Sequence, residues 1–87
     1  MNAEEITREY DQSNRSPNTG KLYMPSQKWG GWMVTANGAR NSFGSPLYNT
    51  KWAAMIKAEE EARRFGATVY LFSRKEAGCR LVATVTA

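Results

Sequence analysis

The apolar positions of this chain follow a helical spacing in one stretch and alternate in most others. The helical stretch is Asn49 to Phe65, NTKWAAMIKAEEEARRF. At about 100° per residue, Met55, Ala58, Ala62 and Phe65 fall in one broad stripe, with Trp52 and Ile56 extending its edge. Lys57, Glu60, Glu61 and Arg64 fall opposite. Such a pattern predicts an amphipathic helix lying on a core. Asn49 or Thr50 can accept a hydrogen bond from a free amide at its start. Ser45-Pro46 offers an earlier start, as N-cap and first helical residue. The later one is preferred, because Asn49 and Thr50 are poor interior residues. Glu59–Arg63 and Glu60–Arg64 are acid-first i,i+4 pairs. Gly66 fits a left-handed C-terminal stop, and Arg63 and Arg64 suit the negative end of the helix dipole.

Alternation takes over after Gly66. Thr68 to Arg74 (TVYLFSR) and Cys79 to Thr86 (CRLVATVT) are rich in β-branched and aromatic residues and predict a hairpin. A three-residue loop Glu76-Ala77-Gly78 puts Val69, Leu71, Leu81, Ala83 and Val85 on one face. Tyr70, Phe72, Arg74, Arg80, Val82 and Thr84 then share the other. A four-residue loop would slip the register by one and mix the two sets.

Before the helix, Trp32 to Ala36 predicts a strand and Asn37-Gly38 a tight turn, often type I′ in hairpins. The partner segment Ala39 to Gly44 (ARNSFG) predicts a short or irregular strand. Tyr23 to Lys28 can add an extended edge, with Pro25 outside any central ladder. The expected fold class is α+β: one amphipathic helix on a small, mainly antiparallel sheet, in the order β-(β)-α-β-β.

Residues 1–21 form the expected flexible N-terminal arm, and residues 22–87 a single small domain. Ser13 to Gly20 is a polar run rich in structure breakers. Ala3 to Tyr10 is long enough for only a turn or two of marginal helix. Three readings stay open for the arm. It can be a solvated tail, it can order on a partner through Ile6 and Tyr10, or it can pack over the sheet.

Composition narrows the chemistry. The chain has 87 residues, no histidine and one cysteine. The commonest general base and metal ligand is therefore missing, and a zinc site has too few ligands. No nucleophile motif, phosphate-cradling loop or isolated carboxylate pair is present. Gly30-Gly31 precedes a strand, not the helix that a dinucleotide loop needs. No catalytic residue, cofactor or metal is expected. Cys79 cannot form an internal disulfide, which suits a reducing, cytoplasmic setting. No run approaches the roughly 20 apolar residues of a membrane helix. Of the net charge of +4, residues 1–21 carry three basic and four acidic side chains, leaving +5 on residues 22–87. That bias permits an acidic protein surface or nucleic acid as partner without demanding either.

Tyr70, Phe72, Arg74 and Arg80 form the first candidate surface. Aromatics interleaved with arginines suit protein anchoring and equally suit base stacking with phosphate contact. A second patch gathers Lys28, Trp29, Trp32, Arg40 and Lys51, with Trp29 and Arg40 as its proposed contacts. Core packing is the rival reading for both tryptophans. Homodimerisation through the first face or the last strand's edge is a further option.

Gly31-Trp32-x-Val34, then Gly38, Thr50-Lys51 opening an Ala-rich helix, Gly66-Ala67 and the Gly78 turn resemble a set of small bacterial and phage domains with a strand–helix–strand core. The likeness spans about residues 29–82. The layout is also similar to small bacteriophage proteins that bind and inhibit host enzymes such as RNA polymerase or CRISPR effectors. It is similar, too, to the three-strand-plus-helix domains by which integrases grip DNA, but Ala39 to Gly44 lacks their basic, alternating strands. The resemblance implies a non-catalytic binding module, encoded by a phage or mobile element, that docks on a host protein. A nucleic-acid-binding domain is the alternative.

Overall fold

The computed structural model describes residues 2–22, 26–75 and 78–87, with backbone alone for 44–46. Six elements follow one another: α1 (Ala3–Ser13), β1 (Lys28–Thr35), β2 (Arg40–Tyr48), α2 (Lys51–Phe65), β3 (Ala67–Lys75) and β4 (Gly78–Thr86). The four strands form one antiparallel sheet in the order β2-β1-β3-β4. The α+β class and the antiparallel sheet are as expected. The additional element is α1, where the sequence suggests a flexible arm.

The expected ends of α2 are found in place. Thr50 is the N-cap, its side chain accepting from the Ala53 N–H, and Gly66 closes the helix in the left-handed region at φ 57°. The buried stripe is rotated from the predicted one. Ala54, Ala58 and Ala62 face the sheet, where the latter two pack with Val69, Met33, Phe43 and Val85. Trp52, Ile56 and Phe65 remain 75%, 39% and 46% exposed. Glu61, expected on the solvent side, is buried and paired with Lys57 at 2.8 Å. Short links to β2 and β3 fix the helix azimuth, and alanines let its axis come close to the bulky sheet face.

The β1–β2 turn is not type I′. No non-glycine residue has positive φ among those described, and within this turn only Gly38 is left-handed, at φ 85°. The Gly38 N–H donates to the Thr35 carbonyl and the Thr35 N–H to the Ala39 carbonyl, both at 2.9 Å. This is a three-residue loop closed by glycine. β2 is irregular, as its composition suggested, but longer than expected. Its pairing jumps between Trp29↔Tyr48 and Gly31↔Phe43. Of the proposed Tyr23–Lys28 edge, Tyr23 to Pro25 lie outside the described residues, and Lys28 opens β1.

The β3–β4 hairpin corrects the predicted faces. Val69↔Val85, Tyr70↔Thr84 and Leu71↔Ala83 keep the expected register. Val82 then bulges, so that Phe72 pairs with Leu81, Ser73 with Arg80 and Lys75 with Gly78. One inserted residue exchanges the faces of everything nearer the turn. Leu81 joins Phe72, and Arg80 moves to the α2 side. The loop residues Glu76 and Ala77 lie outside the described residues.

α1 covers the other sheet face. Asn2 caps it by accepting from the Glu5 N–H at 2.8 Å. Ile6 and Tyr10, one turn apart, are buried against Phe72, with Trp32, Tyr70, Cys79 and Leu81 around them. Tyr10 stacks on Phe72 with ring centroids 4.3 Å apart and planes 10° from parallel. A helix of 11 residues is marginal alone. Full burial of an aromatic or aliphatic side chain, worth about 1.5–3 kcal/mol each, is what holds it. The two anchors expected for a partner dock on the chain's own sheet.

Candidate functional site

The covering helix redistributes the predicted surface residues. Phe72 is fully buried and Arg74 is 1% exposed. Tyr70 lies half-buried in the same layer. None of the three stands on an open face as the sequence suggested, because α1 occupies it. Arg80 is exposed on the opposite side. Arg40 is exposed at the start of β2 and held by Glu9 of α1 at 2.7 Å. That contact ties the helix to the sheet.

Trp29 and Arg80, taken from separate predicted patches, come into one row. Trp29 pairs with Tyr48 on β2 and with Ser73 on β3, and Ser73 pairs with Arg80 on β4. Cross-strand partners point to the same side, and strands lie about 4.8 Å apart. Tyr48, Trp29, Ser73 and Arg80 thus cross the sheet over roughly 14 Å. Trp29 and Tyr48 are half-buried. Ser73 is buried and accepts from Gln27 Nε2 at 2.7 Å, which holds the chain entering β1 against the row. A concavity of about 350 Å³ adjoins the β4 end, lined by Ser73, Lys75, Gly78, Cys79 and Arg80.

The topology adds Trp52 to this end of the molecule. β2 finishes at Tyr48, two residues turn the chain, and α2 starts at Lys51. Lys28 Nζ bonds the Asn49 side chain across the turn. Trp52 therefore stands in the first helical turn beside the row's β2 end, with most of its ring in solvent. Lys51, Lys75 and Arg80 make the α2 side of this end basic, with no acidic side chain there among the described residues.

Sequence reasoning missed Trp52 and Tyr48 as surface candidates. A signal was present: Ala54, Ala58 and Ala62 recur at i,i+4,i+8. Trp52 and Ile56 stand roughly 120–160° from that stripe's centre. Nothing in the sequence announced the row itself, which needs the sheet register and the Val82 bulge.

Cys79 is a free thiol. Burial pushes it up to about 12, with the Asp11 carboxylate adding to the shift. Its Sγ–H donates to the Thr7 carbonyl at 3.4 Å. Among the described residues, no three potential ligands gather around a metal position, and no helix is long and apolar enough to cross a membrane. Comparison with protein-family models, curated proteins and solved structures finds no match.

Proposed function

We propose that this chain is a non-catalytic binding module that docks on a protein through the end bearing Trp52, Trp29, Tyr48 and Arg80. The observation that carries the reading is Trp52, 75% exposed in the first turn of α2, at the same end of the sheet as Trp29, Tyr48 and Arg80. A large apolar ring left in water on a rigid element is the usual form of an interface anchor, and Trp, Tyr and Arg supply most hot spots. The basic border of Lys51, Lys75 and Arg80 suits a partner with an apolar socket and an acidic rim. The resemblance to small bacteriophage inhibitors supplies the rest of the proposal: a phage or mobile-element protein that modulates a host enzyme in the cytoplasm by occupying its surface.

The test is capture from native cell extract with and without nuclease, comparing wild type with Trp52→Ala and Arg80→Ala. Trp52 is exposed, so its removal leaves the fold intact. A partner retained after nuclease treatment should bind Trp52→Ala at least 10-fold more weakly, the scale of a hot spot. Loss of the partner on nuclease treatment, together with steeply salt-dependent binding to random single-stranded DNA or RNA, would transfer the same end to nucleic-acid binding. Equal capture by all three proteins would remove this end from consideration.

A further inference from the structure

β2 is an edge of the sheet, with β1 on one side and no strand of the described residues on the other. At its turn the Thr35 N–H donates to the Ala39 carbonyl, so these two residues form a hydrogen-bonded pair. Along an antiparallel ladder such pairs alternate with non-bonded ones. The register Val34↔Arg40, Met33↔Asn41, Trp32↔Ser42 and Gly31↔Phe43 runs without a shift. Asn41 and Phe43 therefore bond to β1 through their backbones. Arg40 and Ser42 turn theirs outward, leaving two N–H and two C=O groups along the free edge. Arg40 and Asn41 are exposed, so the described residues leave this stretch uncovered. The opposite edge, β4, has its ladder interrupted by the Val82 bulge.

A groove of about 410 Å³ lies beside the same stretch, between the end of α2 and the β1–β2 hairpin. Met33, Phe43 and Phe65 supply its apolar lining, and Arg40, Ser42 and Glu61 line it too. Both of these charges are already held. Glu9 pairs with Arg40 at 2.7 Å and Lys57 with Glu61 at 2.8 Å. A groove whose charges are neutralised suits an uncharged, apolar side chain, because an added charge would lose its hydration there without gaining a partner. Met33 and Phe43 pack under α2, so their cross-strand neighbours Asn41 and Gly31 share the α2 side of the sheet. In a strand laid against β2, the residue opposite Asn41 points to that same side, where the groove is.

We propose that the β2 edge and this groove form a strand-addition site for an extended segment of a protein partner. The segment runs antiparallel to β2 and exchanges backbone hydrogen bonds with Arg40 and Ser42. Its residue opposite Asn41 places an apolar side chain in the groove, against Phe43 and Phe65. The residues on either side of that one make the backbone bonds. Phe65 and Trp52 stand at opposite ends of α2, roughly 20 Å apart by the rise of an α-helix. The site is therefore separate from docking through Trp52, and either can fail without the other.

Titration of the ¹⁵N-labelled full-length chain with blocked heptapeptides Glu-Thr-Thr-X-Thr-Thr-Lys, X being Leu, Phe or Asp, tests the assignment. The Leu or Phe peptide should shift the Arg40, Ser42 and Phe65 amide resonances saturably and bind at least fivefold tighter than the Asp peptide. N-methylation of the two threonines next to X removes donors aimed at β2 and should weaken binding at least tenfold. N-methylation of X, whose N–H points away from β2, should change it less than threefold. Ser42→Pro removes an outward N–H without breaking the ladder to β1, so it should fold and lose the peptide. The N-methylated peptides give the same reading on wild type if that variant fails to fold. Arg40 and Ser42 amides unmoved by about 5 mM of any of the peptides, or equal binding of the Leu, Phe and Asp peptides, would overturn the proposal. So would equal binding with and without the flanking N-methyl groups. Shifts at Arg40 and Ser42 on raising the protein concentration alone would overturn it as well, giving the edge to a second copy of the chain.

Discussion

Tyr10→Ala tests whether α1 belongs to the core. Tyr10 is fully buried, and its ring lies 4.3 Å from that of Phe72. Truncating a buried aromatic to alanine costs about 3–5 kcal/mol from lost transfer energy and the cavity left behind. Its hydroxyl is buried without a partner. Removing that group relieves part of the loss, which places the expected value near 3 kcal/mol. A domain of this size has about 4–13 kcal/mol in all, so the variant should be folded but markedly weakened. Urea unfolding followed by tryptophan fluorescence reads the change as a lower midpoint. A lower slope would show α1 already detached in the native state, because less surface remains to be exposed. Tyr10→Phe removes only the unpartnered hydroxyl and should stay within about 1 kcal/mol of wild type. The Tyr10→Ala/Phe72→Ala double cycle should return a coupling of about 0.5–1.5 kcal/mol, as for stacked aromatic pairs. A loss below about 1 kcal/mol for Tyr10→Ala, with no coupling to Phe72, would refute the packed helix and restore the solvated arm.

Two further outcomes follow from the same layer. A Cβ on Gly30 would stand 2.4 Å from Tyr10 Oη, 2.6 Å from Leu47 Cδ2 and 3.2 Å from the Phe43 carbonyl oxygen. Gly30→Ala should therefore destabilise by about 1–3 kcal/mol through overpacking, and an unchanged urea midpoint would mean that α1 sits farther from β1. Burial raises the Cys79 thiol from the ordinary 9.0 to about 12. At pH 8 its thiolate population should then be roughly a thousandfold below that of an ordinary thiol. The iodoacetamide reaction should be correspondingly slow and gain about tenfold per pH unit up to pH 11. A rate within tenfold of free cysteine at pH 8 would contradict the half-buried placement of Cys79 against α1.

What the sequence decided by itself is local. Thr50 and Gly66 end α2 because capping depends on a few neighbouring backbone groups. Gly38 and the β-rich runs mark hairpins for the same reason. The distal register, Val69↔Val85 to Leu71↔Ala83, follows from matching aliphatic residues on one face. Even Ile6 and Tyr10 were legible as paired anchors, since four residues make one helical turn.

What only the tertiary structure decided is which surface is free. One extra residue at Val82 sends Arg80 and Leu81 to opposite sides from those expected, and no local preference signals a bulge. An 11-residue helix too weak to stand alone gains its stability from the sheet, so its presence could not be read from propensity. Once docked, it closes the face of Phe72 and Arg74 and leaves a guanidinium fork in its shade. The azimuth of α2 is likewise set by its two short links, which turn alanines inward and Trp52 outward. Burial is a property of what lies across from a residue, and in this chain the opposite side is supplied by segments distant in sequence.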